Sequence, residues 1–409
     1  MLQLRDYQKD IANRAAQIIN KHGYVYLAME VRTGKTLTSL TICEKIGAHN
    51  VLFLTKKKAI SSITADMDKM CPSFALFVIN YESIHKVPGI RWDAIILDEA
   101  HGMGAFPKPS KRAKDVRSLI ERDNPAVILL SGTPTPESYS QMYHQVYGIP
   151  TNPFKEYKSF YKFAKDHVDV RQKKINSMLM NDYSRGLPSI MEAMQDTTIS
   201  FSQKNAGFVN TIKETVHHVE LNPQTYILAD TLKRHLVVQG SEEVILADTP
   251  VKLMQKLHQI YSGTIIFEGG KSMVLDTTKA QYILSNFMGK KIGIFYKFKE
   301  ELNAIKSVFK DLVTTELSVF EDTDCPAIAL QIVSGREGIS LRQADALVYY
   351  NIDFSATSYW QSRDRMTTKD RNSSDIHWIF SEDGIEDNIY KAVTKKKDYT
   401  LSHFKKDLK

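Results

Sequence analysis

Cysteine is scarce in this chain, with 3 in 409 residues. Cys43, Cys71 and Cys325 lie far apart without a partnering histidine cluster, so their spacing supports neither a disulfide framework nor a zinc site. A reducing, cytoplasmic setting is the expectation. Long apolar runs are missing as well. None reaches the roughly 18 residues a membrane span needs, and the opening residues Met1 to Asp6 lack the apolar stretch of a secretory signal. No internal repeat or low-complexity segment stands out. Strong charge asymmetry is also lacking: 54 basic residues face 47 acidic ones, a net +7 that permits a polyanionic partner without demanding one.

What is present reads as globular, with 43% hydrophobic and 25% charged residues. A chain of this length is too long for one ordinary core and suits two domains. The lysine runs at 56–58, 173–174, 395–397 and 405–406 read most simply as solvated faces or tails.

The first 150 residues alternate short apolar strands with helices, the pattern of a parallel sheet covered on both faces. Strands are predicted at 24–28, 51–54, 75–79, 94–97 and 127–130. Residues 151–262 read as an inserted helical region with a basic and aromatic composition. There Phe154, Tyr157, Phe160, Tyr161 and Phe163 are expected to pack against a neighbouring lobe rather than stack on bases. Gly269-Gly270 marks a hairpin. Alternation resumes at 278–287 (helix), 292–296 (strand), 300–309 (helix), 327–332, 347–350 and 376–380 (strands). The predicted domains are therefore a first α/β lobe at 1–150, the insertion at 151–262 and a second α/β lobe at 263–409.

Chemistry gathers at the strand ends. Met29-Glu30-Val31-Arg32-Thr33-Gly34-Lys35-Thr36 follows a strand and opens a helix. In a phosphate loop, backbone N–H groups of this stretch (Arg32, Thr33, Gly34) attract phosphate oxygens, Lys35 reaches the β and γ phosphates of ATP, and the Thr36 hydroxyl ligates Mg²⁺. The strict pattern has glycine where Met29 stands. Asp98-Glu99 follows the apolar run 94–97, so both carboxylates sit at a strand tip, Asp98 for Mg²⁺ and Glu99 to polarise water. Together these motifs point to ATP hydrolysis.

In order and spacing, these segments resemble a superfamily 2 helicase or translocase. The resemblance implies two RecA-like parallel-sheet lobes with a helical insertion between them. It also implies an adenine-reading segment at Leu4-Arg5-Asp6-Tyr7-Gln8, with Gln8 on the adenine edge and Arg5 near the ring. Leu54-Thr55-Lys56 and Asn80-Tyr81-Glu82 are similar to segments that touch the nucleic-acid backbone, and Ser131-Gly132-Thr133-Pro134 to the coupling motif. In the second lobe Ser334 to Leu341, including Gly338, and Tyr359 to Arg365 look like the last two family motifs. Gln361 is implied at the nucleotide and Arg365 as an arginine finger. Where the family has a second arginine this chain has Thr368, leaving Arg363 or Arg371 as substitutes. Arg32 stands where many relatives have glycine. Leu221 to Tyr226 and Leu257 to Ile260 look Swi/Snf-like, and the loop variant 30–36 resembles small phage-encoded members.

The implied function is an ATP-dependent DNA helicase or translocase, catalysed through Lys35, Asp98, Glu99 and Arg365 with Mg²⁺. Its partner is duplex or single-stranded DNA rather than RNA, and no membrane is involved. The alternatives are an ATP-switched remodelling or scaffold protein with negligible turnover, and an RNA helicase.

Overall fold

The computed structural model describes residues 4–175, 178–208, 211–240, 243–335, 341–366 and 373–395. The chain divides into two units, Met1–Phe208 and Val209–Lys409.

In the first unit, strands β1 (Tyr24–Met29), β2 (Asn50–Thr55), β3 (Ala75–Asn80), β4 (Ala94–Leu97) and β5 (Ala126–Leu130) form a parallel sheet. A hairpin of β6 (Arg171–Ile175) and β7 (Met178–Asp182) follows, and β8 (Thr198–Phe201) then returns to the sheet beside β1, giving the order β3-β2-β4-β5-β1-β8. Side chains alternate across it, as the two-residue strand period requires. Val25, Leu27 and Met29 pack with Ile11, Ala12 and Ala15 of helix α1 (Asp6–His22) and Leu40 of helix α2 (Lys35–Lys45). Tyr24 and Tyr26 face the opposite core with Tyr143, Phe154, Phe160 and Phe163. Both faces are thus buried, and this is why the strands read as unbroken apolar runs.

The second unit repeats the plan. Strand β9 (Thr211–Val219) is followed by the hairpins β10 (Val237–Gln239) with β11 (Val244–Leu246) and β12 (Thr264–Ile266) with β13 (Ser272–Val274). Strands β14 (Ile292–Tyr296), β15 (Val313–Thr314), β16 (Ala327–Gln331), β17 (Ala346–Tyr349) and β18 (Ser373–Ser381) complete a parallel sheet ordered β15-β16-β14-β17-β18-β9. Ile292 and Ile294 pack against one layer of helices, while Phe295, Tyr349 and Trp378 pack into the other.

The stretch 151–262 is not a separate helical insertion. It is shared between the units, the first taking it up to Phe208, and it supplies an edge strand to each sheet, β8 and β9. The aromatic cluster is internal to the first unit, with Phe154, Phe160 and Phe163 all at most 2% exposed. It serves that unit's own core, not a neighbouring lobe.

Candidate functional site

The C-terminal ends of β4, β5 and β1, which are neighbours in the sheet, carry the candidate site of the first unit. Open α/β sheets bind ligands at this edge because loops and helix N-termini converge there.

After β1 the chain turns through Glu30 to Gly34 and enters α2 without a capping side chain, so the first-turn N–H groups of α2 are available to an anion. Two residues of this turn are left-handed, Arg32 with φ 62° and Gly34 with φ 84°. Glycine takes that conformation freely, whereas Arg32 holds it with a side chain. Met29, in the place of the strict motif's first glycine, is fully buried as the last residue of β1. Its carbonyl accepts Lys35 Nζ at 3.1 Å, and the Glu30 carbonyl lies 3.3 Å from the same ammonium. Lys35 is therefore folded onto its own loop.

The loop is braced from two sides. Tyr7 donates its hydroxyl to Thr33 O at 3.0 Å, and Thr33, fully buried, donates its own to Glu30 O at 2.8 Å. Gln8 is 3% exposed, accepts from Arg5 N at 2.9 Å and donates to Gly34 O at 3.3 Å. Arg5 donates to the Tyr7 hydroxyl at 2.9 Å. The Arg5–Gln8 segment thus lies against the phosphate loop, with the Gln8 amide turned to Gly34. From the other side, Glu30 N donates to Phe201 O at 3.0 Å and Gln203 Nε2 to Val31 O at 3.0 Å. This brace was invisible in the sequence because β8 was.

Substituting Gly34 by Ala strains the left-handed backbone and sets a Cβ 2.2 Å from Gln8 Nε2. Gly34→Ala is expected to cost about 1–2 kcal/mol of stability and to weaken ATP binding at least tenfold. Thermal unfolding and nucleotide titration check this.

At the tip of β4, Thr55 Oγ1 donates to Asp98 Oδ2 at 2.7 Å and the Tyr81 hydroxyl donates to Asp98 O at 2.7 Å. Thr55 and Tyr81 are 0% and 3% exposed. Both lie in the segments that resemble nucleic-acid contacts, and in this structure their hydroxyls hold Asp98. Burial, then the neighbouring Glu99 carboxylate, push the Asp98 carboxyl up to about 6, against the pull of the Thr55 hydroxyl and the Lys35 ammonium. Lys35 and Asp98 are thus within electrostatic reach of each other.

The folded protein holds the Asp98 proton more tightly than the unfolded chain does. This carboxyl therefore favours the ligand-free fold below about pH 4, and that contribution is lost as the pH rises through about 6. Asp98→Asn is expected to raise the ligand-free unfolding midpoint at pH 7. The full shift corresponds to about 3 kcal/mol, and solvent screening of a partly exposed carboxylate reduces this to about 1–2 kcal/mol. The gain should vanish near pH 4, and calorimetry at the two pH values measures it.

Glu99 follows in a left-handed conformation, φ 49°. Its Oε2 lies 3.2 Å from His101 Nδ1, and the same nitrogen lies 3.0 Å from Oγ of the fully buried Ser131, beyond β5. Thr133 N donates to Ser131 Oγ at 3.1 Å. His101 thus joins the acidic pair to the Ser131–Pro134 segment. The sequence offered this histidine within its motif, but not its role.

The residues fit Mg²⁺ with a nucleotide. Among the described residues no group of three or more His, Cys, Asp or Glu forms a metal cage, and one carboxylate plus substrate phosphates is the usual way this ion is held. Asp98 and the Thr36 hydroxyl at the start of α2 are the ligands the chain offers.

In the second unit, Arg365 lies in the turn Arg363–Met366, is 8% exposed, and its carbonyl accepts Leu341 N at 2.9 Å. Gln361 is on the helix Ala356–Ser362. Arg363 is already engaged: it lies 3.0 Å from Glu214 Oε1 and stacks 4.7 Å from the Trp360 ring. Glu214 also accepts from Tyr359, Trp378 and Tyr390 at 2.8–3.1 Å. That network engages Arg363 within the second unit. Gly338, Thr368 and Arg371 lie outside the described residues.

Residues 35–225 match the SNF2-related domain. Helicase SWR1 of Saccharomyces cerevisiae is 22% identical over 178 residues, covering 35% of this chain and 11% of the relative. The chain thus spans about a tenth of that curated relative's length. Among solved structures, the Sulfolobus solfataricus SWI2/SNF2 ATPase core in complex with dsDNA is 16% identical, covers 99% of this chain and 92% of its own, and has a TM-score of 0.42. The same core domain without that complex is also 16% identical, at 97% and 89% coverage and a TM-score of 0.42. The likeness is to the SNF2-related domain, over a little under half of the chain.

Proposed function

We propose that the chain is a DNA-stimulated ATPase that moves along the nucleic acid. One observation carries this reading: Lys35 follows β1 and Asp98 and Glu99 follow β4, the two parallel strands that flank β5, with His101 tying Glu99 to Ser131 beyond β5.

Lys35, released from the Met29 and Glu30 carbonyls, would hold the β and γ phosphates, and the N–H groups of α2 would receive their oxygens. Thr36 and Asp98 would hold Mg²⁺, which would supply positive charge to neutralise the charge developing on the phosphates. Glu99 would orient the attacking water, and His101 would hold the Glu99 carboxylate in place. Arg365 from the second unit would complete the site on lobe closure, and reopening after hydrolysis would turn alternating grips on the strand into steps. DNA as the track, Arg365 as the finger and lobe closure as the output all come from the family resemblance. The likeness to phage-encoded members comes from the sequence reading.

Backbone gripping predicts weak sequence preference and a steep salt dependence. Neutralising about six phosphates lowers DNA affinity roughly 10³-fold between 50 and 200 mM salt. Fluorescence anisotropy with duplexes of unrelated sequence measures both properties, and salt-independent binding would oppose the model. The reading itself is tested by ATP turnover with and without DNA, with Lys35→Ala as the blank.

A further inference from the structure

A cavity of about 240 Å³ opens in the first unit beside the helix Lys111–Asp123. Its inner wall is aromatic. Tyr161 is exposed and His144 and Tyr147 are half-buried, while Tyr143 and Phe160, which also line it, are at most 2% exposed, and His144 stacks on Phe160 at 5.7 Å. Its rim is basic, since Lys108, Lys114, Arg117 and Lys158 line it and are exposed, while no lining residue is Asp or Glu.

The rim is partly pre-organised. Arg117 Nε donates to Glu121 Oε1 at 2.6 Å, and its guanidinium lies 4.7 Å from the Tyr147 ring centroid. The Tyr147 hydroxyl donates to Lys158 O at 3.2 Å, tying that lysine's backbone to the wall. His144 Nε2 lies 3.1 Å from Pro107 O, and burial lowers its pKa, so the ring is neutral at pH 7, donates to that carbonyl and keeps Nδ1 as an acceptor. The cavity therefore offers an aromatic wall and a rim of four basic side chains, one of them paired with Glu121.

We propose that this cavity binds one nucleotide unit, its base against the aromatic wall and its phosphate toward Lys108, Lys114, Arg117 and Lys158. Size, shape and charge agree. An apolar void of about 150 Å³ already takes benzene, so this volume suits a single ring system with a substituent. Aromatic walls stack any base, and a rim whose cations outnumber the one carboxylate paired with Arg117 selects the phosphate. The nucleotide comes either free or as part of a strand, and only the strand-borne case rests on the function proposed above. The helix Met142–Val146 carries Tyr143 and His144 to the cavity and also Gln145, whose Nε2 donates to Pro134 O at 2.9 Å. Occupancy is thereby connected to the Ser131–Pro134 segment.

Isothermal titration of the full chain at low salt tests this, using thymidine 5′-monophosphate, thymidine, inorganic phosphate and a single-stranded oligothymidylate. The monophosphate should bind at least tenfold more tightly than thymidine or phosphate alone. Lys114→Glu with Lys158→Glu should weaken it tenfold or more at an unchanged thermal midpoint, while Lys35→Ala leaves it intact. If the double variant fails to fold, Lys108→Glu alone should weaken binding about threefold. A strand is the ligand if the oligomer binds more tightly than the monophosphate with the same sensitivity, and a free nucleotide is the ligand if it binds less tightly. Phosphate binding as well as the monophosphate, indifference to the rim variants, or loss of binding in Lys35→Ala instead would each overturn the assignment. Missing DNA-stimulated turnover with these titrations intact would remove only the motor.

Discussion

Glu99→Gln is expected to leave ATP affinity near that of the unmodified chain and to lower turnover about 10²–10⁴-fold, the range for loss of a positioned general base. The replacement keeps size and shape, so the left-handed turn at residue 99 and its neighbour His101 have no steric reason to move. What disappears is the negative charge that the proposed function sets against the attacking water. A fall in kcat at constant KM is the signature of a group that acts only in the transition state. Steady-state kinetics with a fluorescent ATP analogue for binding separates the two quantities. If turnover with DNA is already at background and Glu99→Gln changes nothing, the chain is an ATP-switched scaffold and not a motor.

The second large effect is on stability. Lys279 Nζ and Glu386 Oε1 form an ion pair at 2.7 Å with side chains 1% and 0% exposed, and Ser381 Oγ donates to the same carboxylate at 3.1–3.2 Å. Removing one partner strands a charge in an apolar interior, so Glu386→Ala should cost about 3–5 kcal/mol. Replacing both by apolar residues, Lys279→Met with Glu386→Leu, should cost far less, because the desolvation of two ions is avoided together with their attraction. Denaturant midpoints for the single and double variants decide this. A double variant as unstable as the single one would mean that the loss comes from packing around Ser381 and not from the charge.

Much of the architecture was legible because both sheets are parallel and buried on both faces, so their central strands appear as short apolar runs. Residues 94–97 and 292–296 were located to the residue, and both motifs fell at strand ends as expected. The edge strands were not legible. β9 carries Lys213, Glu214, His217 and His218, so no apolar run marks it, and β8 is only four residues long. Misreading these two produced the spurious insertion. Within the site, Lys35, Asp98 and Glu99 were readable from local sequence, because a loop, a strand and a helix in series fix where each side chain goes. The supports were not. Thr55 bonds Asp98 across 43 residues, Gln203 bonds Val31 across 172, and Glu214 holds Arg363 from the opposite end of its unit. Lys279 likewise looks like any helix-surface lysine until Glu386, 107 residues later, is brought to it.

The central claim is coupling of ATP hydrolysis to DNA, and one measurement addresses it most directly: ATP turnover of the full chain with duplex DNA, single-stranded DNA, RNA and no nucleic acid, with Lys35→Ala as the blank. Turnover well above the blank that rises severalfold or more with DNA is the predicted result. Equal turnover with and without nucleic acid would contradict the motor, and stimulation by RNA alone would contradict the assignment to DNA.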